Sequence, residues 1–116
     1  MYRPFLALAG LLGAAGVAIA AAASHGGDPN LGIAANFLLF HAPALLGLSL
    51  VPRSRLLLVA GYVLLFGLAV FCGDLAMRSA TGNALFPLAA PIGGSTLILG
   101  WLLVAATALF TRRTTD

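Results

Sequence analysis

The chain has no lysine and no glutamate, a single cysteine, and charged side chains at only 8% of its 116 positions. Each shortage closes a class of protein. So few charges cannot cover the surface of a soluble domain, so water is not the main solvent of this chain. A lone thiol, Cys72, cannot close an internal disulfide and belongs to no C-x-x-C spacing, so the redox compartment stays open. Inside an apolar segment it reads as a small buried hydrophobe. The formal charge of +3 comes from arginines set against aspartates. Those arginines sit at segment ends, not in a run or on one helical face, so no nucleic-acid partner is expected. They suit orientation in a bilayer and contact with anionic headgroups. His25, His41, Cys72, Asp74 and Met77 show no recognised ligand spacing, so no metal and no cofactor are expected.

What is abundant is apolar, at 61% of residues. Phe5–Ala23, Ile33–Val51, Leu56–Gly73 and Ile92–Thr111 each run 18 to 20 residues without a charged side chain. At about 1.5 Å per residue, a helix of that length crosses a hydrocarbon core of roughly 30 Å. The reading is an all-α membrane protein. It is one domain, a compact bundle of four transmembrane helices over about 5–23, 33–51, 56–77 and 92–111, with antiparallel neighbours and short loops. Met1-Tyr2-Arg3 before an apolar run ending in alanines also looks like a secretory signal, but the run is longer than the 7 to 15 residues of a signal core. A first transmembrane helix is expected.

The first helix carries Gly10, Gly13, Gly16 and Ala20 along one stripe, where another helix can approach closely. The connection Ser24–Leu31 holds two glycines, a proline and an asparagine and turns the chain back. In the second helix, Pro43 removes a backbone donor and predicts a kink near Leu39–His41. Val51–Arg55 allows only a tight hairpin. In the third helix, Ala60, Gly67 and Asp74 recur every seven residues and should face the bundle, with Leu57, Leu64, Leu65 and Phe71 covering other sides. Ala84–Pro91 is apolar but too short to cross, and should form an interfacial segment before the fourth helix. Trp101 falls inside that helix instead of at an end. Arg3, Arg53, Arg55, Arg112 and Arg113 fall on one side of a four-span topology and Arg78 alone on the other. That bias predicts a multi-pass protein of the cell inner membrane with both termini cytoplasmic.

The few polar side chains gather in the outer half of the bundle. His25 closes the first helix, and His41 lies about eight residues, or roughly 12 Å, inward along the second. Asp74 and Arg78 are four residues apart with the acid first, the favourable orientation for a helical ion pair. An ionisable group at the bilayer centre costs about 2.5 to 3.5 kcal/mol on insertion scales, so such groups face inward and find partners. One reading joins His41 to Asp74 as a proton or solute relay, with Arg78 as gate. The other has His41 in an interhelical hydrogen bond and Asp74 with Arg78 as a local ion pair. It is the stronger, because the inner half offers only Tyr62 and Ser49 to continue a relay. Pro91-Ile92-Gly93-Gly94-Ser95 opens the fourth helix, where bare N–H groups could receive a carboxylate or lipid phosphate at Gly93, Gly94 and Ser95. The plainer use of those glycines is close contact with the first helix. No catalytic constellation is expected: neither Ser24-His25 nor Ser95 comes with a base and an oxyanion hole.

The segments A-S-H-G-G at 23–27, F-H-A-P-A-L-L at 40–46, F-C-G-D-L-A-M-R at 71–78, T-G at 81–82, A-P-I-G-G at 90–94 and L-G-W at 99–101, in that order, resemble the domain of unknown function 423 family. These are small bacterial inner-membrane proteins related to transmembrane protein 256. Pro43, Cys72 and Ala76 depart from the family pattern. The resemblance implies four helices in an inner membrane and brings no established activity. The expectation is a non-enzymatic membrane protein that binds lipids, itself as a homo-oligomer, or a larger membrane complex as a subunit. A small transporter or proton-coupled channel using His41, Asp74 and Arg78 is the alternative.

Overall fold

Four helices take up nearly all of the described chain: α1 (Arg3–Gly26), α2 (Pro29–Leu50), α3 (Arg55–Thr81) and α4 (Ala89–Phe110). The computed structural model describes residues 1–110; Thr111, Arg112 and Arg113 lie outside the described residues. All four helices are long and apolar enough to span a bilayer, and the chain is a multi-pass membrane protein.

The helix ends follow local chemistry more than the ends of the apolar runs. Pro4 lies in the first turn of α1, where no intrahelical donor is needed. Gly27 closes that helix at φ 67°, with its N–H donating to the Ala23 carbonyl at 2.8 Å. Asp28 then caps α2 through the Asn30 N–H at 2.9 Å, and Pro29 takes the first helical position. The connection expected over Ser24–Leu31 is therefore only Gly27 and Asp28, because Ser24 and His25 continue α1 past its apolar run. Ser54 caps α3 by accepting from the Leu57 N–H at 3.1 Å, and Gly82 ends it at φ 79°. α4 starts three residues before the expected Ile92, since Pro91 in a first turn has no N–H to leave unpaired. Pro43 sits inside an unbroken α2.

Small residues set the packing within two hairpins. In the first, Gly13 meets Ala42, and a side chain at Gly16 would stand 2.9 Å from Leu39. In the second, a side chain at Gly93 would stand 2.7 Å from the Phe71 backbone, one at Gly67 2.9 Å from the Leu97 backbone, and one at Gly100 2.7 Å from Leu64. The helix that Gly93 admits is thus α3, not the first helix. Without water to drive association, such close backbone approach is a main source of helix affinity in lipid. The hairpins join through α2 and α3 around Leu38, Leu64, Leu68, Leu75 and Leu97, while Phe5, Ala9 and Leu45 fill the other end. Ala60, Gly67 and Asp74 are all buried, with Gly67 against α4. Leu57 and Leu64, expected on other sides of α3, are buried as well, because α3 is covered by α2 on one side and α4 on another.

Candidate functional site

The polar side chains settle at different depths. His41 stands at the middle of α2, buried, with Trp101 facing it from the middle of α4. Its Nδ1 lies 2.7 Å from the Phe37 carbonyl oxygen, one turn back on the same helix. Its Nε2 lies 3.1 Å from the Trp101 indole nitrogen. A carbonyl only accepts and an indole N–H only donates, so the two partners fit one form of the ring, the neutral imidazole with its proton on Nδ1. Phe37 and Trp101 also flank the ring, with centroids at 6.0 and 5.7 Å. Nothing in the fourth helix's sequence names it as the partner of His41. The one signal is a tryptophan at mid-span, away from the interfacial belts where tryptophan normally concentrates.

Asp74 is fully buried near the far end of α3. One carboxylate oxygen accepts from Arg78 Nε at 2.8 Å, and the other accepts from the backbone N–H of Leu85 at 2.9 Å. The Arg78 side chain is 42% exposed, so its remaining donors reach toward the membrane surface. Asp74 therefore does two things: it neutralises Arg78, and it fastens the segment that follows Gly82 back onto α3. Leu85 contributes only a backbone N–H, which leaves no trace in sequence.

Asp28 and Ser79 form the next contact at the same end, with the Ser79 hydroxyl donating to the Asp28 carboxylate. That hydrogen bond, followed by the Asn30 N–H, holds the Asp28 carboxyl below its usual range. The contact ties the start of α2 to the last turn of α3.

Of the four polar candidates, the structure brings together Asp74 and Arg78 and separates the others. The Cys72 thiol donates to the Ala34 carbonyl at 3.7 Å, which fixes the register of α2 against α3. His41 is seven residues farther along α2 and Asp74 two residues the other way along α3, so roughly 13 Å of helical rise divides them. Leu38 and Leu68, both in the apolar core, lie between those two levels. His25 is exposed in the last turn of α1 and makes no side-chain hydrogen bond among the described residues. Gly93, Gly94 and Ser95 lie beyond the first turn of α4, where the Ala89 and Ile92 N–H groups already donate to the Phe86 and Leu88 carbonyls, and Gly93 is buried against Phe71. No three His, Cys, Asp or Glu side chains cluster as a metal site among the described residues. Every buried side-chain nitrogen or oxygen among them has a partner.

The opposite end holds Arg3, Arg53 and Arg55. There the Tyr2 and Tyr62 hydroxyls meet at 2.6 Å, the Tyr2 N–H donates to the Ser49 carbonyl at 2.8 Å, and the Arg53 guanidinium lies 5.3 Å from the Tyr2 ring centre. These contacts lock the start of α1 across the ends of α2 and α3.

No solved structure matches this chain. The family described as "Protein of unknown function (DUF423)" matches over residues 12–94, well over half of the chain, and the chain belongs to that family.

Proposed function

We propose that this member of the DUF423 family is a non-enzymatic protein of a bacterial inner membrane that works by binding membrane lipids, with its outward faces also available to copies of itself or to subunits of a larger complex. The observation that carries this reading is the state of the mid-depth imidazole. Both His41 nitrogens are committed, one to the Phe37 carbonyl and one to the Trp101 indole. A proton relay would have to break the Trp101 hydrogen bond and then cross an apolar layer before reaching Asp74. The surface has what the interior lacks. Phe40, Phe66, Leu102 and Leu109 are exposed on the outside of the bundle, and exposed apolar surface of that extent marks contact with lipid or another membrane helix. The five-to-one arginine bias, counting Arg112 and Arg113, supports cytoplasmic termini.

The test is purification in mild detergent with mass spectrometry of retained lipids and proteins, run beside a proton-flux assay in proteoliposomes. Retained phospholipid, with or without a dominant protein partner, and no flux above empty vesicles is the expected result. A partnerless protein that retains no phospholipid and carries a pH-dependent flux would replace this reading with the small transporter or channel.

A further inference from the structure

A groove of about 470 Å³ runs down the outside of α3 where α4 borders it, lined by Arg55, Val59, Tyr62, Val63 and Phe66 of α3 and by Leu99 of α4. The α3 residues fall on one helical face by their spacing. Val59 is 45% exposed, Phe66 61% and Leu99 51%, so the groove opens sideways to the bilayer. From Arg55 to Phe66 it covers about 16 Å of helical rise. That is close to half of a hydrocarbon core of roughly 30 Å, the depth of a single leaflet. Below the mouth, where Arg55 stands, the walls are apolar save for the hydroxyls of Tyr62 and Thr96, which meet the Tyr2 hydroxyl and the Ile92 carbonyl.

The mouth is cationic on three counts. Arg55 is exposed and makes no ion pair among the described residues. Arg53 lies at the same end, over the Tyr2 ring. The first turn of α3 holds no acidic residue, so its positive dipole end and leading N–H groups are uncompensated beyond the Ser54 cap. Asp28 and Asp74 both belong to the opposite end. We propose that this groove binds one anionic phospholipid, an acyl chain lying along α3 from Val59 to Phe66 and the phosphate held at Arg55. The proposal rests on the lipid-binding reading above and gives that reading its site. An acyl chain fits because it needs no hydrogen bonds along the walls. A phosphodiester of net negative charge fits because only the mouth offers positive potential.

The experiment is native mass spectrometry of the full chain in mild detergent, titrated with phosphatidylglycerol and with phosphatidylcholine of identical chains. The wild type should bind one phosphatidylglycerol about fivefold more tightly, the scale of one arginine at an anionic headgroup. Arg55→Gln should abolish that preference while leaving the weaker, chain-driven binding. Val59→Trp, which fills the groove, should weaken both lipids, and Val17→Trp on the exposed face of α1 neither. Because Arg55 and Val59 are exposed, both variants should unfold in lipid-free detergent at the wild-type temperature. Equal binding of the two lipids by the wild type, an undiminished preference in Arg55→Gln, or equal losses in Val59→Trp and Val17→Trp would overturn the proposal. Retained phospholipid that ignores Arg55 and Val59 overturns the groove and leaves the lipid-binding reading standing. A protein that retains none overturns both.

Discussion

Trp101 donates its indole N–H to Nε2 of His41 at 3.1 Å, joining the middle of α4 to the middle of α2 across the bundle. The two residues belong to different hairpins, so the bond fixes one hairpin's depth and rotation against the other. It also holds the imidazole in one tautomer, because Nδ1 already faces the Phe37 carbonyl. At mid-membrane an unpaired donor would have no water to turn to. The bond therefore fastens the two hairpins to one another at mid-depth through His41.

Interhelical hydrogen bonds in membranes average about 0.6 kcal/mol and reach about 1.7. A double-mutant cycle of Trp101→Phe and His41→Leu should give a coupling energy in that range, read from unfolding in detergent. The chain has one tryptophan, so its fluorescence reports this site alone, and His41→Leu should shift the emission to shorter wavelength. A coupling energy of zero would remove the fastener.

Asp74 and Arg78 should behave as a unit in which the acid depends on the base. Arg78→Ala leaves the buried carboxylate with only the Leu85 N–H, whereas Asp74→Asn keeps an acceptor for that N–H and leaves Arg78 free to reach the interface. Arg78→Ala should therefore lower the unfolding temperature more than Asp74→Asn, and the double variant should recover much of the loss. A stable Arg78→Ala protein with no rescue by Asp74→Asn would show that the ion pair does not hold the helix end.

The seam of α3 was legible in advance because seven-residue spacing of Ala60, Gly67 and Asp74 requires one face of a helix. The ion pair was legible for the same reason, since four-residue spacing on one helix needs no tertiary information. The partner of His41 was not legible. Which side of α4 meets α2 depends on how deeply Gly93 and Gly100 let α4 settle on α3, and that is a property of the pair of helices. The Leu85 N–H was hidden more completely, because a backbone donor is the same at every residue. The starts of α2 and α4 shifted outward because the apolar runs alone set the expected bounds, whereas Pro29 and Pro91 are well placed in a first turn.

The glycines differ sharply in what they admit. Gly93→Leu must displace the Phe71 backbone, and Gly16→Leu must displace Leu39, whereas Gly10 faces open space. Overpacking of this kind costs about 1 to 3 kcal/mol. Gly93→Leu and Gly16→Leu should each lower stability in detergent by that amount, and Gly10→Leu by little. Comparable unfolding temperatures for all three would dissolve the small-residue seams.

Orientation is testable by cysteine labelling in a Cys72→Ser background, with Pro52→Cys in the α2–α3 turn and Gly26→Cys at the end of α1. Both positions are exposed. With cytoplasmic termini, an impermeant thiol reagent added outside intact cells, with the outer membrane permeabilised, should modify position 26 and spare position 52. The reverse pattern would invert the topology.

Asp28 makes stability depend on pH in a direction that its contacts fix. Ser79 and the Asn30 N–H both favour its carboxylate, so its pKa is lower in the folded protein than in the unfolded chain. A group depressed in this way contributes stability that is fully present above the unfolded carboxylate value and is lost as pH falls through the folded one. The wild type should accordingly lose unfolding temperature on acidification below about pH 4, the ordinary carboxylate range. Ser79→Ala removes the larger cause and keeps the cap, so it should narrow the acid-sensitive window while leaving α2 started at Pro29. Asp28→Ala removes both and should flatten that part of the profile, at a lower unfolding temperature throughout, because α2 then lacks its cap. Thermal unfolding from pH 3 to 7 in one detergent measures all three proteins, and Asp74→Asn serves as the control for the second aspartate among the described residues. If Asp28→Ala keeps the full acid loss of the wild type, the contact between α2 and α3 at this end contributes nothing through Asp28.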